Sequence, residues 1–268
     1  MAIKLAVIGA FGRMGKAICR LALKDATFEL CGLIDALDQS KGQTYEQVTG
    51  LKTGDLMVVS DFDELKIQPE AIIDFSFHKA TMLHLEKVAK KKKKIPYVIG
   101  TTGFSGDEVK TIKKYSKVMP LLLSPNMSLG VNILFLLTEV LTKSLGKSYD
   151  IEIIEGHHNQ KADSPSGTAL KILEVIKNNL NDDEYFTVNG RNGLVGKRKP
   201  KEIGMHAIRG GSIIGEHCVF FAGTDDEIRI EHRALNRDIF AKGALKCAEF
   251  LHKKTPGFYD MKAVLGLA

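Results

Sequence analysis

Between Ile3 and Leu123 short apolar runs alternate with segments of helical spacing. Ile3 to Ile8 is mostly apolar, Arg13 to Leu23 has helical spacing, and Phe28 to Ile34 forms a second strand pattern. After a polar, glycine-containing stretch come Leu56 to Ser60, Ala71 to Phe75, Tyr97 to Ile99 and Pro120 to Leu123, with helical segments between them. One such helix is predicted from Ala80 to Lys94, with Met82, Leu83, Leu85, Val88 and Ala89 as its apolar positions. Near-continuous apolar strands separated by helices predict a parallel sheet covered on both faces, a doubly wound α/β arrangement.

The texture changes near Asn126. A long apolar helix is predicted from Asn132 to Leu145, followed by alternating runs such as Asp150 to Ile153 and Glu227 to Glu231. Alternation predicts a largely open-faced, antiparallel or mixed sheet, hence a second domain of α+β type. The Gly210-Gly211 pair between strand-like runs is expected to form a hairpin or tight connection, and a helical pattern returns from Ile239 to Leu251.

Composition narrows the classes. With 268 residues, 44% hydrophobic and 26% charged, the chain is long enough for one large or two medium domains. Cys19, Cys31, Cys218 and Cys247 are widely spaced and form no C-x-x-C pair, which fits a reduced, cytoplasmic setting. The apolar stretch Val131 to Leu137 is too short to span a bilayer, and Met1-Ala2-Ile3-Lys4 has no signal-peptide pattern, so membrane and secreted readings are not expected. The formal charge is +6, but five of those charges can be assigned to Lys90 to Lys94 at the end of the predicted helix, where lysines complement the helix dipole. No aromatic residue is interleaved there, so no nucleic-acid partner is expected.

Candidate chemistry concentrates in two places. Gly9-Ala10-Phe11-Gly12-Arg13-Met14-Gly15 follows the first strand and opens the first helix, where glycines permit a tight turn and helix N–H groups receive a pyrophosphate. Asp35 ends the second strand, twenty residues after Gly15, and can accept from ribose hydroxyls. The order of strand, turn, helix, strand and acid is Rossmann-like and predicts a dinucleotide. Ala36 is not basic, so a 2′-phosphate would face Asp35 without an adjacent arginine; this favours NADH over NADPH, with Lys41 or Arg13 as the residues able to compensate. The loops Gly100-Thr101-Thr102-Gly103 and Ser124-Pro125-Asn126-Met127 each follow a strand and read equally well as crevice-lining loops or as plain turns.

The densest polar segment runs from Glu155 through His157, His158 and Lys161 to Ser164-Pro165-Ser166-Gly167-Thr168. Ser164 is the expected N-cap of the following helix, with Pro165 in its first position, and Gly167 and Thr168 then sit where the helix dipole suits a carboxylate. Two histidines and a lysine beside such a site can transfer protons near neutral pH. The competing readings are a structural polar loop and a metal site. The metal reading is disfavoured because adjacent histidines lack helical ligand spacing and no cysteine is near. No G-x-S-x-G elbow is present to support acyl transfer.

These residues resemble the 4-hydroxy-tetrahydrodipicolinate reductase (dihydrodipicolinate reductase) family along essentially the whole chain. The likeness is carried by G-x-x-G-R-M-G at Gly9 to Gly15, I-G-T-T-G-F at Ile99 to Phe104 and S-x-G-V-N at Ser128 to Asn132. It continues with E-I-I-E-x-H-H-x-x-K-x-D-x-P-S-G-T at Glu152 to Thr168, Gly215-Glu216-His217 and Tyr259-Asp260-Met261.

The resemblance implies reduction of a cyclic imine dicarboxylate in the diaminopimelate route to lysine. Gly9, Ala10, Phe11, Gly12, Arg13, Met14, Asp35, Gly100, Thr101, Thr102, Ser124, Pro125, Asn126 and Met127 are then expected to contact NAD(P)H. His157 is implied as proton donor and acceptor, Lys161 as proton donor, and His158, Gly167 and Thr168 as substrate contacts. It further implies a dinucleotide-binding domain of residues 1–126 with 237–268, a substrate-binding and oligomerisation domain of residues 127–236, and a homotetramer built through the second domain's sheet. Asn159-Gln160 departs from the Arg-His often found there and leaves that loop less basic. Ala36 stands where some members carry arginine, so cofactor choice is not simply inherited. Another two-domain amino-acid dehydrogenase and a non-catalytic NAD(H)-sensing module are the competing readings.

Overall fold

The computed structural model describes residues 1–36, 38, 42–91 and 94–267, so Lys41 and the middle of the lysine run, Lys92 and Lys93, lie outside the described residues. The first half folds as β1 (Ile3–Ile8), α1 (Arg13–Ala22), β2 (Phe28–Ile34), α2 (Tyr45–Thr49), β3 (Val58–Val59), β4 (Ala71–Asp74), α3 (His78–Lys90), β5 (Tyr97–Ile99), α4 (Gly106–Tyr115) and β6 (Pro120–Leu123). Next come α5 (Leu129–Leu145), β7 (Asp150–His157), α6 (Gly167–Leu180), β8 (Phe186–Asn189), β9 (Glu202–Arg209), β10 (Glu216–Ala222) and β11 (Glu227–Arg233). The chain closes with α7 (Asp238–His252), β12 (Gly257–Tyr259) and α8 (Met261–Val264).

Two compact units result, residues 1–129 with 238–268 and residues 130–237. In the first, seven strands in the order β12-β6-β5-β4-β1-β2-β3 are all parallel. Successive residues of a strand point to opposite faces, and both faces are apolar here. Leu5, Val7, Leu33, Ile73 and Val98 join a core with residues of α1 and α7, whereas Ala6, Ile8, Ile34, Ile72 and Ile99 join one with Leu85 and Val88 of α3 and Ile112 of α4. The order reverses at β1, which lies between β2 and β4, and such a switch point opens a crevice at the carboxyl ends of the strands.

Helix and strand bounds shift modestly from the sequence pattern. The third strand contracts to Val58–Val59 because the Leu56 carbonyl accepts from Tyr45 N–H (3.0 Å) rather than joining the ladder. The helix expected from Ala80 begins at His78, whose polar side chain hides the pattern and pairs with Glu108 (2.9 Å). At its other end Lys90 pairs with Glu86, and Lys87 and Lys91 reach Asp63 or Asp61, so these lysines have acidic partners within the fold.

The second unit holds a mixed five-stranded sheet in the order β11-β10-β7-β9-β8. β9 runs parallel to β7 and β8, while β10 runs antiparallel to β7 and β11. Gly210-Gly211 does not close a hairpin: β9 and β10 flank β7 on opposite sides, and the connection passes the end of β7, with Gly210 N–H donating to His157 O (3.0 Å). Ile151, Ile153, Ile203, Met205, Val219 and Phe221 share one face, covered by Leu134 of α5 and by Ala169, Ile172 and Ile176 of α6. The register continues that same face through Glu155 to His157 on β7, opposite His217 of β10 and Arg209 of β9. The helix-covered face therefore turns polar at one end.

Candidate functional site

The end of β1 is shaped by two glycines. Gly9 has φ +80, which L side chains rarely adopt, and a Cβ on Gly15 would collide with the Gly9 carbonyl. No side chain caps α1 and no acidic residue lies in its first turn, an arrangement that suits an external anion. Under the loop Tyr45 is wholly buried, and its hydroxyl donates to Ala10 O (2.7 Å). Asp35 stands beside the loop with its carboxylate fixed by Phe11 N–H (2.7 Å) and Ala36 N–H (2.7 Å). Gly9, Gly12, Asp35, Ala36, Ser76 and Phe77 line a cavity of about 440 Å³, a size suited to half a dinucleotide. An uncapped helix start, a turn whose Gly9 and Gly15 have no room for a Cβ, and an anchored acid together fit a dinucleotide such as NAD(P)H.

Not every expected cofactor residue presents its side chain. Ala10, Phe11 and Met127 are buried in the core, so their side chains support the loop from within. Thr101 Oγ1 is turned inward to Asp74 and Thr81, in a buried network that also receives the hydroxyls of Ser76 and Tyr97 on the Asp74 carboxylate. That network fixes the start of the Gly100 to Thr102 loop. Ser124 Oγ donates to Asn126 O (2.8 Å) and shapes the Ser124 to Met127 turn.

In the second unit the polar end of the sheet is organised by Glu155. Its carboxylate is 0% exposed and receives Arg209 Nη2 (2.7 Å) and Ser166 N–H (3.0 Å) on Oε1, with Arg209 Nη1 (2.9 Å) and His157 Nδ1 (2.6 Å) on Oε2. Burial alone would push this carboxyl up, but the bonds from Arg209, His157 and Ser166 hold it below the usual carboxylate range. Lys161 Nζ pairs with both oxygens of Asp163 (2.7 and 2.8 Å), while Arg209 Nη2 also donates to Asp163 O (2.7 Å). His217 is buried, is hydrogen-bonded at Nε2 to Ser166 Oγ (3.1 Å), and stacks edge-on against His157 at 5.3 Å between ring centroids. Burial, aided by the neighbouring His157, pushes its pKa down to about 4, so His217 is neutral at physiological pH.

The helix start differs from expectation in one respect. Ser166, not Ser164, is the N-cap of α6: its Oγ accepts from Ala169 N–H (3.2 Å), and the helix begins at Gly167. Pro165 therefore precedes the helix, and Gly167 and Thr168 occupy its first turn, the end that suits an anion. Glu155, Ser166 and Gly215 stand in the motifs of the sequence without a function expected of them, and Arg209 stands in none. Arg209 lies far along the chain from the His157 loop, and only its place on the strand beside β7 brings it there. Glu155 was visible through strand alternation, since a glutamate at an inward position of a buried strand requires partners.

The sequence matches the family described as "Dihydrodipicolinate reductase, N-terminus" over residues 3–127 and "Dihydrodipicolinate reductase, C-terminus" over residues 130–265. It is 42% identical over 275 residues to the 4-hydroxy-tetrahydrodipicolinate reductase of Aquifex aeolicus (strain VF5), covering 100% of both chains. It is 40% identical over 266 residues to that of Syntrophus aciditrophicus (strain SB), covering 98% of each. Among solved structures, the dipicolinate-bound dihydrodipicolinate reductase from Paenisporosarcina sp. TG-14 shares the fold, with a TM-score of 0.79 at 22% identity over 97% of this chain and 98% of that one.

Proposed function

The chain belongs to the dihydrodipicolinate reductase family and is an NAD(P)H-dependent oxidoreductase; from that membership and the two sites above we propose that it reduces 4-hydroxy-tetrahydrodipicolinate to tetrahydrodipicolinate, in the diaminopimelate route to lysine. The observation that carries the proposal is the single hydrogen-bonded cluster joining His157, the Lys161–Asp163 pair and the start of α6.

Bound NAD(P)H supplies a hydride to C4 of the substrate, whose 4-hydroxyl leaves as water with a proton from the adjacent ring carbon. The N–H groups of Gly167 and Thr168 hold one substrate carboxylate at the positive end of α6, and His158 lies on the same loop to contact the substrate. Hydride addition leaves an enamine, which needs a proton at the neighbouring ring carbon to return to the imine. Lys161 Nζ delivers that proton, and His157, whose Nδ1 is engaged by Glu155, exchanges protons through Nε2. In the first unit Gly9 to Met14, Asp35, Gly100 to Thr102 and Ser124 to Met127 hold the dinucleotide, with the first-turn N–H groups of α1 facing its pyrophosphate. The anchored Asp35 carboxylate favours NADH, because a 2′-phosphate would bring a second negative charge against it.

We further place the protein in the cytoplasm as a homotetramer. Half-buried Ile154, Cys218 and Phe220 on the sheet face opposite α5 and α6 support assembly through that face.

The test is a purified-protein assay with enzymatically generated 4-hydroxy-tetrahydrodipicolinate, following loss of reduced nicotinamide absorbance with NADH and with NADPH. Oxidation is expected with both, faster with NADH; no oxidation with either overturns the proposal.

A further inference from the structure

An ionised carboxylate has about four lone-pair sites and no donor, and Glu155 fills all four, with two bonds from Arg209, one from Ser166 N–H and one from His157 Nδ1. The bond at Nδ1 therefore requires the proton on Nδ1. That fixes the neutral tautomer of His157 and leaves Nε2 as the nitrogen that can receive or deliver a proton. Nε2 lies on the side of Gly215, where a Cβ would stand 3.2 Å away.

We propose that Glu155 and Arg209 are positioning residues that act together on both proton carriers; this rests on the roles given above to His157 and Lys161. Glu155 sets the tautomer and ring plane of His157. Arg209 occupies the carboxylate oxygens that would otherwise be open to a proton, so that Glu155 stays an acceptor while His157 cycles. The same guanidinium donates to Asp163 O (2.7 Å), and Asp163 holds Lys161. One side chain from β9 thus sets the distance between the His157 strand and the Lys161 loop. Through Ser166 N–H the carboxylate also fixes the start of α6, where the substrate carboxylate is expected. A purely structural ion pair explains neither the bond to His157 Nδ1 nor the convergence on three substrate-facing groups. Replacing such a buried pair by apolar residues of similar size is often tolerated by the fold, so function and stability can be separated.

The experiment uses the full-length protein labelled with 15N in its histidine rings, with His157 resonances assigned by comparison with His157→Gln. In the unsubstituted protein neutral His157 is expected to show a protonated-type Nδ1 and an unprotonated-type Nε2. The double variant Glu155→Leu/Arg209→Met is expected to unfold cooperatively, to show a mixed tautomer at His157, and to lose about 10²-fold in kcat. NADH affinity should stay within about twofold, because the nucleotide loop belongs to the other compact unit. The milder Glu155→Gln should show the same direction with a smaller loss. An Nε2-protonated His157 in the unsubstituted protein overturns the proposal even if no variant folds, and so does undiminished kcat in a folded variant. If instead the unsubstituted protein oxidises no NADH with the substrate, the tautomer result stands and it is the assigned reaction that fails.

Discussion

A Cβ on Gly215 would stand 3.2 Å from Nε2 of His157, closer than van der Waals contact comfortably allows. Gly215 has an ordinary backbone conformation, and its carbonyl accepts from Ala234 N–H (2.9 Å), so the constraint is space beside the imidazole rather than strain. Gly215→Ala is expected to leave the fold intact and lower kcat by about tenfold or more by displacing the ring. Steady-state kinetics beside a thermal unfolding curve checks this. Unchanged kcat would mean that Nε2 is not the reacting nitrogen.

Asp35 is held in place by two backbone N–H groups, so its charge cannot easily swing away from an incoming 2′-phosphate. We expect kcat/KM to favour NADH. Asp35→Asn should narrow the ratio by roughly tenfold, about 1.4 kcal/mol. A strong NADPH preference in the unsubstituted protein contradicts this account of cofactor choice.

His217 gives a pH signature in stability. Its pKa is about 4 in the folded protein, below the value near 6.5 of an exposed histidine. The unfolded chain therefore takes up its proton first as pH falls. Stability is full above about pH 6.5, drops between about 6.5 and 4, and loses up to about 3 kcal/mol from this group. Glu152 is pushed down to about 2: burial opposes this, but Arg191, His206 and Arg198 outweigh it. Its loss falls below about pH 4.5, outside the histidine window. Urea midpoints at pH 7 and pH 4.5 for the unsubstituted protein and for His217→Gln should differ in pH dependence. Equal slopes would show that His217 is not the responsible group.

Tyr45 links α2 to the nucleotide loop through a buried bond to Ala10 O. Tyr45→Phe removes the donor and leaves that carbonyl unsatisfied, at a cost of about 1–2 kcal/mol. Weaker NADH binding by a fewfold in calorimetry, with lower thermal stability, is the expected outcome. Unaltered NADH affinity would show that the loop needs no such prop.

The strands of the first sheet were legible because they are buried on both faces and read as apolar runs, as at Ile3–Ile8 and Ala71–Asp74. The dinucleotide loop was legible because glycine spacing is a local signal. Topology in the second unit was not: whether Gly210-Gly211 closes a hairpin depends on which strand enters between β9 and β10, and that is a long-range choice. The cap of α6 lies two residues beyond the expected Ser164, because Ser164-Pro165 and Ser166-Gly167 offer competing starts and only the bond from Ala169 N–H to Ser166 Oγ decides between them. His157 and Lys161 stand in one local motif. Arg209 was out of reach because its place beside His157 comes from strand pairing across the sheet.

The central claim, hydride addition at C4 of a cyclic imine dicarboxylate followed by protonation beside it, is tested most directly by isotope tracing. The enzyme is supplied with NADH deuterated at the transferable position and with 4-hydroxy-tetrahydrodipicolinate in ordinary water, and the product is read by mass spectrometry and NMR. One deuterium at ring C4 of tetrahydrodipicolinate, formed at a rate cut severely by Lys161→Ala or His157→Ala, is the predicted result. A product with no deuterium, or with deuterium at another carbon, would contradict the account.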